Sequence, residues 1–232
     1  MLKVPFFKPY INDKEILAVK KVLKSGWLTS GKITELVEKR IKSKINSKYA
    51  IMVNSCTSGI HLSLLANNLK KGDEVITSAF TWISTIHNLY NLGLKIKFCD
   101  INFNNYSLNL EDIKKVYTKK TKCILITHYG GIPADIEKIS YFCKKKNISL
   151  IEDAATAFGA KINNKFVGSF SNSTAVFSFY ANKIITTGEG GVITCFDNKL
   201  ASKIRSIISC GIDKDPWKRY SQKNKWFYNV KF

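Results

Sequence analysis

The sequence predicts an α/β fold, a three-layer sandwich with a mostly parallel central sheet. Three observations carry this prediction. Short runs rich in β-branched and apolar residues alternate with segments of helical, amphipathic period. Repeated strand–helix alternation is what a parallel sheet covered on both faces requires. The chain has 232 residues, 45% of them hydrophobic, enough for one large domain with a full core. With only four prolines, 13 glycines and no low-complexity tract, it does not read as disordered.

The elements follow in order. Asn12-Asp13-Lys14-Glu15 reads as a helix start, an N-cap with an acid three residues later, and its helix runs to about Lys24 and stops at Gly26. Residues 33–45 form a second amphipathic helix. A strand at 49–53, a helix at 59–67, a strand at 74–77 and a helix at 83–92 come next. A strand at 95–99, a helix after Asn109, a strand at 122–127 and a helix at 134–146 continue the alternation. A strand at 148–151, a hairpin-like stretch around 160–167, strands at 174–179 and 191–195 and a helix at 197–208 complete it. There is no internal repeat. From Asp213 onward the chain turns polar and aromatic, and does not read as a finished domain.

Composition narrows the function. Lysine and arginine total 37 against 17 acidic residues, a net charge of +20 that invites a nucleic-acid partner. Its make-up opposes that reading. Only Arg40, Arg205 and Arg219 are arginines, the residue preferred for bidentate phosphate and base contacts, and the lysines are spread along the whole chain. No apolar run approaches a membrane span, and Met1-Leu2-Lys3-Val4-Pro5 lacks an apolar signal core, so a cytoplasmic protein without membrane contact is expected. The six cysteines include no C-x-x-C pair and mostly lie in apolar runs, which suits reduced, buried thiols; no metal site is expected.

Ligands of such sheets bind at the carboxyl ends of the strands. Four features fall there. Asn54-Ser55-Cys56-Thr57-Ser58-Gly59 lies between a strand and a helix, where hydroxyls and free N–H groups make a phosphate cradle, although taken alone the motif reads first as a plain helix cap. Thr81-Trp82-Ile83-Ser84-Thr85 offers a Trp that either stacks on a flat aromatic cofactor or belongs to the core. Asp153, in Ile151-Glu152-Asp153-Ala154-Ala155, fits a carboxylate that keeps a pyridine nitrogen protonated, or a helix N-cap. Lys183 follows a β-rich run that includes Ser178 and precedes the glycine-rich turn at 188–191. Read alone it fits a surface lysine. Held at the mouth of a sheet and partly desolvated, it becomes a nucleophile able to form a Schiff base. Phosphate anchor, ring stacker, nitrogen partner and Schiff-base lysine together are the requirements of a pyridoxal 5'-phosphate site.

These segments also carry a resemblance. With Ser25-Gly26-Trp27-Leu28-Thr29-Ser30-Gly31, Gly72-Asp73-Glu74-Val75-Ile76 and His128-Tyr129-Gly130-Gly131-Ile132-Pro133-Ala134-Asp135, the chain resembles the DegT/DnrJ/EryC1/StrS sugar aminotransferases, fold-type I pyridoxal phosphate enzymes, from Pro5 to about Arg219. Phe177-Ser178-Phe179 with Lys183 and the Thr187-Gly188-Glu189-Gly190-Gly191 run are its most specific pieces. The Thr81-Trp82 and His128-Tyr129 motifs look most like the branch that makes 4-amino-4-deoxy-L-arabinose on a UDP carrier. The resemblance implies that Lys183 holds the cofactor and is catalytic, that Asp153 pairs with its ring nitrogen and that Trp82 stacks on the ring. Thr57, Ser58 and Ser178 would bind its phosphate, Thr156 would stand by its phenolic oxygen, and Thr29 would lie near the sugar. Two positions depart from the family pattern. Thr156 stands where Gln or His is usual, and Tyr180 where the branch often has His.

By the same resemblance, residues 1–30 form an N-terminal arm and helix, 31–212 the cofactor-binding large domain, and 213–232 the start of a connection to a small C-terminal domain. Family members continue into that domain, so the chain is expected to be truncated, either completed by a separate chain or an inactive remnant. A homodimer is implied, because a neighbouring subunit lends part of each site. The expected reaction moves an amino group, with glutamate as donor, onto a nucleotide-linked keto sugar for surface polysaccharide or lipopolysaccharide synthesis. A sugar dehydratase is the rival within the family, opposed by Lys183 because its dehydratases typically carry His there.

Overall fold

The computed structural model describes residues 3–5, 7–212 and 230; except for Val230, the segment from Asp213 to Phe232 lies outside the described residues. In chain order the elements are α1 (Asp13–Ser25), α2 (Lys32–Ile45), β1 (Tyr49–Val53), α3 (Cys56–Ala66), β2 (Glu74–Thr77), α4 (Ile83–Asn91) and β3 (Lys95–Phe98). Then come β4 (Ile101–Asn102), β5 (Ser107–Leu108), α5 (Leu110–Val116), β6 (Thr121–Thr127), α6 (Ile136–Lys146) and β7 (Ser149–Asp153). The short hairpin β8 (Lys161–Ile162) and β9 (Lys165–Phe166), then β10 (Ser173–Ser178), β11 (Gly191–Cys195) and α7 (Asn198–Ile208) follow. The capping box expected at Asn12 is formed: its side chain accepts the Lys14 N–H at 2.9 Å, and Glu15 accepts the Asn12 N–H at 2.8 Å.

Seven strands form one sheet in the order β1-β11-β10-β7-β6-β2-β3. The pairs from β10 to β3 are parallel, and β11 runs antiparallel to both its neighbours. Period-two alternation sends Ile51, Leu125, Ile151, Val176 and Ile193 to one face, where they meet Ile60 and Leu64 of α3, Leu89 of α4 and Ile204 of α7. The opposite face splits into two clusters. Ile124 and Leu150 pack with Ile113, Ile136 and Ile139 of α5 and α6, while Ala50, Phe177 and Val192 pack with Ile41 and Ile45 of α2. This is the three-layer arrangement the alternation predicts.

Two boundaries differ where the site is built. α3 begins at Cys56, three residues before the expected start, because Ser55 caps it by accepting the Ser58 N–H at 3.1 Å. The apolar signal begins only with Ile60, which is why the sequence reading starts late. β7 runs on to Asp153, which pairs in register with Thr127 and Val176. Two adjacent carboxylates hid this extension.

α3 lies very close to the sheet. A Cβ on Gly59 would stand 2.5 Å from Cγ1 of Val176 and 3.3 Å from Cγ2 of Val53. Both neighbours are β-branched and stiff. Gly59→Ala is therefore expected to destabilise the fold by about 1–3 kcal/mol despite its gain in helix propensity, measured by urea denaturation; an unchanged midpoint would contradict this packing.

Candidate active site

The site grows from the carboxyl ends of β6, β7 and β10. Asp153 closes β7 on the same face as Ile151, so it lies beneath α3 and α4, while Glu152 points to the other side. Asp153 is buried. Its carboxylate accepts the Thr85 hydroxyl at 2.7 Å and the Ala155 N–H at 3.2 Å, with the Cys56 thiol at 3.9 Å. Burial holds its pKa above the ordinary carboxylate value; the Thr85 and Ala155 hydrogen bonds, and then the nearby His128 ring and Lys183, pull the other way. The Cys56 thiol is pushed well up, first by burial and then by Asp153 itself. Turns rather than a helix follow Asp153, which excludes the N-cap reading.

Thr57 and Ser58 occupy the first turn of α3. Ser178 ends β10 on the face that Asp153 shares, two residues beyond the Val176 that pairs with it, and accepts the Tyr180 N–H at 3.3 Å. The start of β11 closes in from the side. A Cβ on Gly191 would stand 2.7 Å from the Phe177 carbonyl oxygen and 2.9 Å from the Cys56 nitrogen, both backbone atoms that cannot yield cheaply. Gly191→Ala is expected to push the start of α3 off the sheet, lowering both stability and affinity for any phosphate held there. Equilibrium unfolding and phosphate-ligand titration would check this; no change in either would contradict it.

The loop carrying Lys183 is tied to the end of β10. The Phe179 carbonyl accepts from the Thr187 N–H and the Thr186 hydroxyl, each at 3.0 Å, and the Phe179 N–H donates to Gly190 at 2.9 Å. The Lys183 N–H donates to Tyr180 at 3.0 Å, which turns the chain back at that point. Lys183 is half-buried, and its charge pulls the pKa of both Cys56 and Asp153 downward. Trp82 precedes α4 and is 75% exposed, which overturns the core alternative. Thr156, half-buried, donates its hydroxyl to the His128 carbonyl at 3.2 Å.

Thr29, Thr57 and Ser58 line one cleft of about 1390 Å³, together with Glu189. Lys183, Asp153, Trp82, Thr156 and Ser178 lie outside its lining. The expected residues thus fall into two neighbouring groups, joined through Cys56, which precedes Thr57 and touches Asp153.

Several contributors were missed in the sequence. Thr85 is the nearest partner of Asp153, and its spacing from Thr81 is the one signal that could have found it. Asn88 holds the start of α3 by donating to the Thr57 carbonyl at 2.9 Å. Behind β7, the His128 ring is fully buried. Its Nδ1 accepts the Ala134 N–H at 3.0 Å, which places the proton of a neutral ring on Nε2, 2.9 Å from Glu152. Glu152 also accepts the Ser173 hydroxyl.

A profile of the DegT/DnrJ/EryC1/StrS aminotransferase family matches residues 9–232. The chain belongs to this family. Its aminotransferases depend on pyridoxal phosphate. The spore coat polysaccharide biosynthesis protein SpsC of Bacillus subtilis is 37% identical over 98% of the chain and 58% of its own length. Helicobacter pylori PseC, an aminotransferase involved in the biosynthesis of pseudoaminic acid, superposes with a TM-score of 0.87 at 30% identity, over 98% of this chain and 59% of that one. The GDP-4-keto-6-deoxy-D-mannose-3-dehydratase of Escherichia coli, solved with bound hydrated pyridoxal phosphate, superposes with a TM-score of 0.86 at 32% identity, over 96% of this chain and 57% of that one. The chain spans under two thirds of the length of the DegT/DnrJ/EryC1/StrS relatives it matches.

Proposed function

We propose that this chain is the cofactor-binding part of a pyridoxal phosphate-dependent aminotransferase that transfers an amino group, from glutamate, to a nucleotide-linked keto sugar for surface polysaccharide synthesis. One observation carries the reading: a buried carboxylate, Asp153, ends β7 on the sheet face shared by Ser178, with the first turn of α3 against it through Cys56 and the Lys183 loop tied to the end of the neighbouring strand.

The donor set fits pyridoxal phosphate. The first turn of α3 offers N–H groups and the Thr57 and Ser58 hydroxyls to a phosphate, and Ser178 stands on the same sheet face. Asp153, raised by burial, gains most from a cationic ring nitrogen beside it. Trp82 presents an open aromatic face. Thr156 gives its one proton to His128, so toward a phenolic oxygen it has only lone pairs to offer. Bound there, the cofactor supplies an aldehyde for amine exchange and a ring that withdraws electrons. Lys183 would hold it through its amine and would serve as the general acid and base for the proton transfer at the substrate. Thr29, which lines the same cleft as Thr57 and Ser58, would face the sugar.

The same reading assigns residues 1–30 to an arm, 31–212 to the large domain and 213–232 to the approach to a small domain. It also assigns a homodimer: Ile16, Leu17, Val19 and Leu23 of α1 are all more than half exposed, an apolar stripe that a second copy would cover. Among the described residues every cysteine is a free thiol and no helix is long and apolar enough to cross a membrane; a cytoplasmic setting belongs to the same reading. The Thr81-Trp82 and His128-Tyr129 motifs favour a UDP-linked 4-keto sugar.

The dehydratase relative favours a second reading, sugar dehydration with the same cofactor. Incubation with pyridoxal phosphate, glutamate and a UDP-4-keto sugar separates the readings. A UDP-amino sugar with 2-oxoglutarate is expected. Loss of a sugar hydroxyl without gain of nitrogen would assign the dehydratase, and neither product would leave a binding fragment.

A further inference from the structure

The hydroxyls behind Asp153 form a continuous chain from α4, through the turn before it, to the end of β6. Thr85 of α4 donates to Asp153 Oδ2 at 2.7 Å, Thr81 before α4 donates to Thr85 at 3.3 Å, and Thr127 at the end of β6 lies 2.9 Å from Thr81. Each hydroxyl has one proton to give, and an ionised carboxylate only accepts. Thr85 therefore commits its proton to Asp153 and accepts from Thr81. Thr81 has then used its own proton, so the Thr81–Thr127 contact must be a donation from Thr127. All three O–H dipoles point the same way, toward the carboxylate.

We propose that Thr127, Thr81 and Thr85 form a directional hydroxyl relay that keeps the buried Asp153 ionised and aimed, with Thr85 as the positioning residue next to it. The use of this relay rests on the reading that Asp153 faces the cofactor's ring nitrogen; its existence does not. Hydrogen bonds that polarise one another in sequence strengthen the last member, and the last member here is the bond to Asp153. The relay comes from α4 and β6. The other groups acting on the carboxylate are the Cys56 thiol from α3, His128 after β6, Lys183 from the loop after β10 and the Ala155 N–H after β7. Thr85 is fully buried, so no water replaces its hydroxyl without rearrangement.

The test uses the cofactor-free chain labelled with carboxyl ¹³C-aspartate and followed by NMR from acid to neutral pH. Thr85→Val keeps the shape and removes the donor; Thr85→Ser keeps the donor. The Asp153 midpoint should rise by about one pH unit or more in Thr85→Val, return close to wild type in Thr85→Ser, and rise by less in Thr81→Val and least in Thr127→Val. An unmoved midpoint in Thr85→Val, or equal midpoints for Thr85→Val and Thr85→Ser, overturns the relay. Should Thr85→Val fail to fold, the half-exposed Thr81→Val decides: a raised midpoint supports the relay and an unchanged one overturns it. A raised midpoint without pyridoxal phosphate binding in any variant upholds the relay and overturns the cofactor reading. Cofactor binding with no midpoint change does the reverse.

Discussion

Lys183→Ala will leave the chain folded and unable to hold pyridoxal phosphate covalently. The wild-type protein soaked with cofactor is expected to turn yellow and to retain the cofactor after borohydride reduction; the variant should do neither. Amino transfer should fall by at least roughly a thousandfold, because one group supplies both the covalent anchor and the proton transfer. Stability should change by no more than about 1 kcal/mol, since the backbone bond to Tyr180 that shapes this turn survives the substitution. Retention of a borohydride-stable cofactor by Lys183→Ala would remove Lys183 from its proposed role.

Asp153→Asn is expected to act in opposite directions on function and stability. Cofactor affinity should drop roughly 10- to 100-fold, the scale of a hydrogen bond to a charged group, and amino transfer by more, because a ring nitrogen without a carboxylate partner is a weaker electron sink. The cofactor-free chain, however, should become more stable at pH 7. Asp153 titrates higher in the fold than in the unfolded chain, with burial the first cause. Above both values its ionised form opposes folding. That opposition is relieved as pH falls through the folded value. Wild type and Asp153→Asn should therefore differ most near neutrality and converge toward the unfolded carboxylate value of about 3.9. Denaturation of both proteins across pH measures the difference; a variant less stable at every pH would mean that the carboxylate is held by more than the contacts described.

Much of this was legible in the sequence because of where such sheets put their chemistry. Lys183, Asp153, Ser178 and the Thr57–Ser58 turn all stand at or just after strand ends, and strand ends are marked by abrupt changes from apolar to polar or glycine-rich composition. The alternation itself predicted the layers and the seven α-helices of the described residues. Local boundaries were less legible. A cap at Ser55 moves the helix start ahead of its apolar signal, and a strand that ends in two carboxylates does not look like a strand. Trp82 showed the limit of residue type: an exposed indole and a core indole read alike until burial is known. The partners of Asp153 were the least legible. Thr81, Thr85 and Thr127 are ordinary threonines on two elements, and only the parallel pairing of β6 with β7 brings the last of them to the same carboxylate.

The chain carries 34 lysines, and any of them can react slowly with an aldehyde. The proposed site requires that one lysine, Lys183 in the loop tied to the end of β10, is chosen. Soaking the full chain with pyridoxal phosphate, reducing with borohydride and mapping the modified peptides by mass tests this directly. The expected result is one pyridoxyl group per chain, on the peptide containing Lys183. A label scattered over surface lysines, or no label, would contradict it.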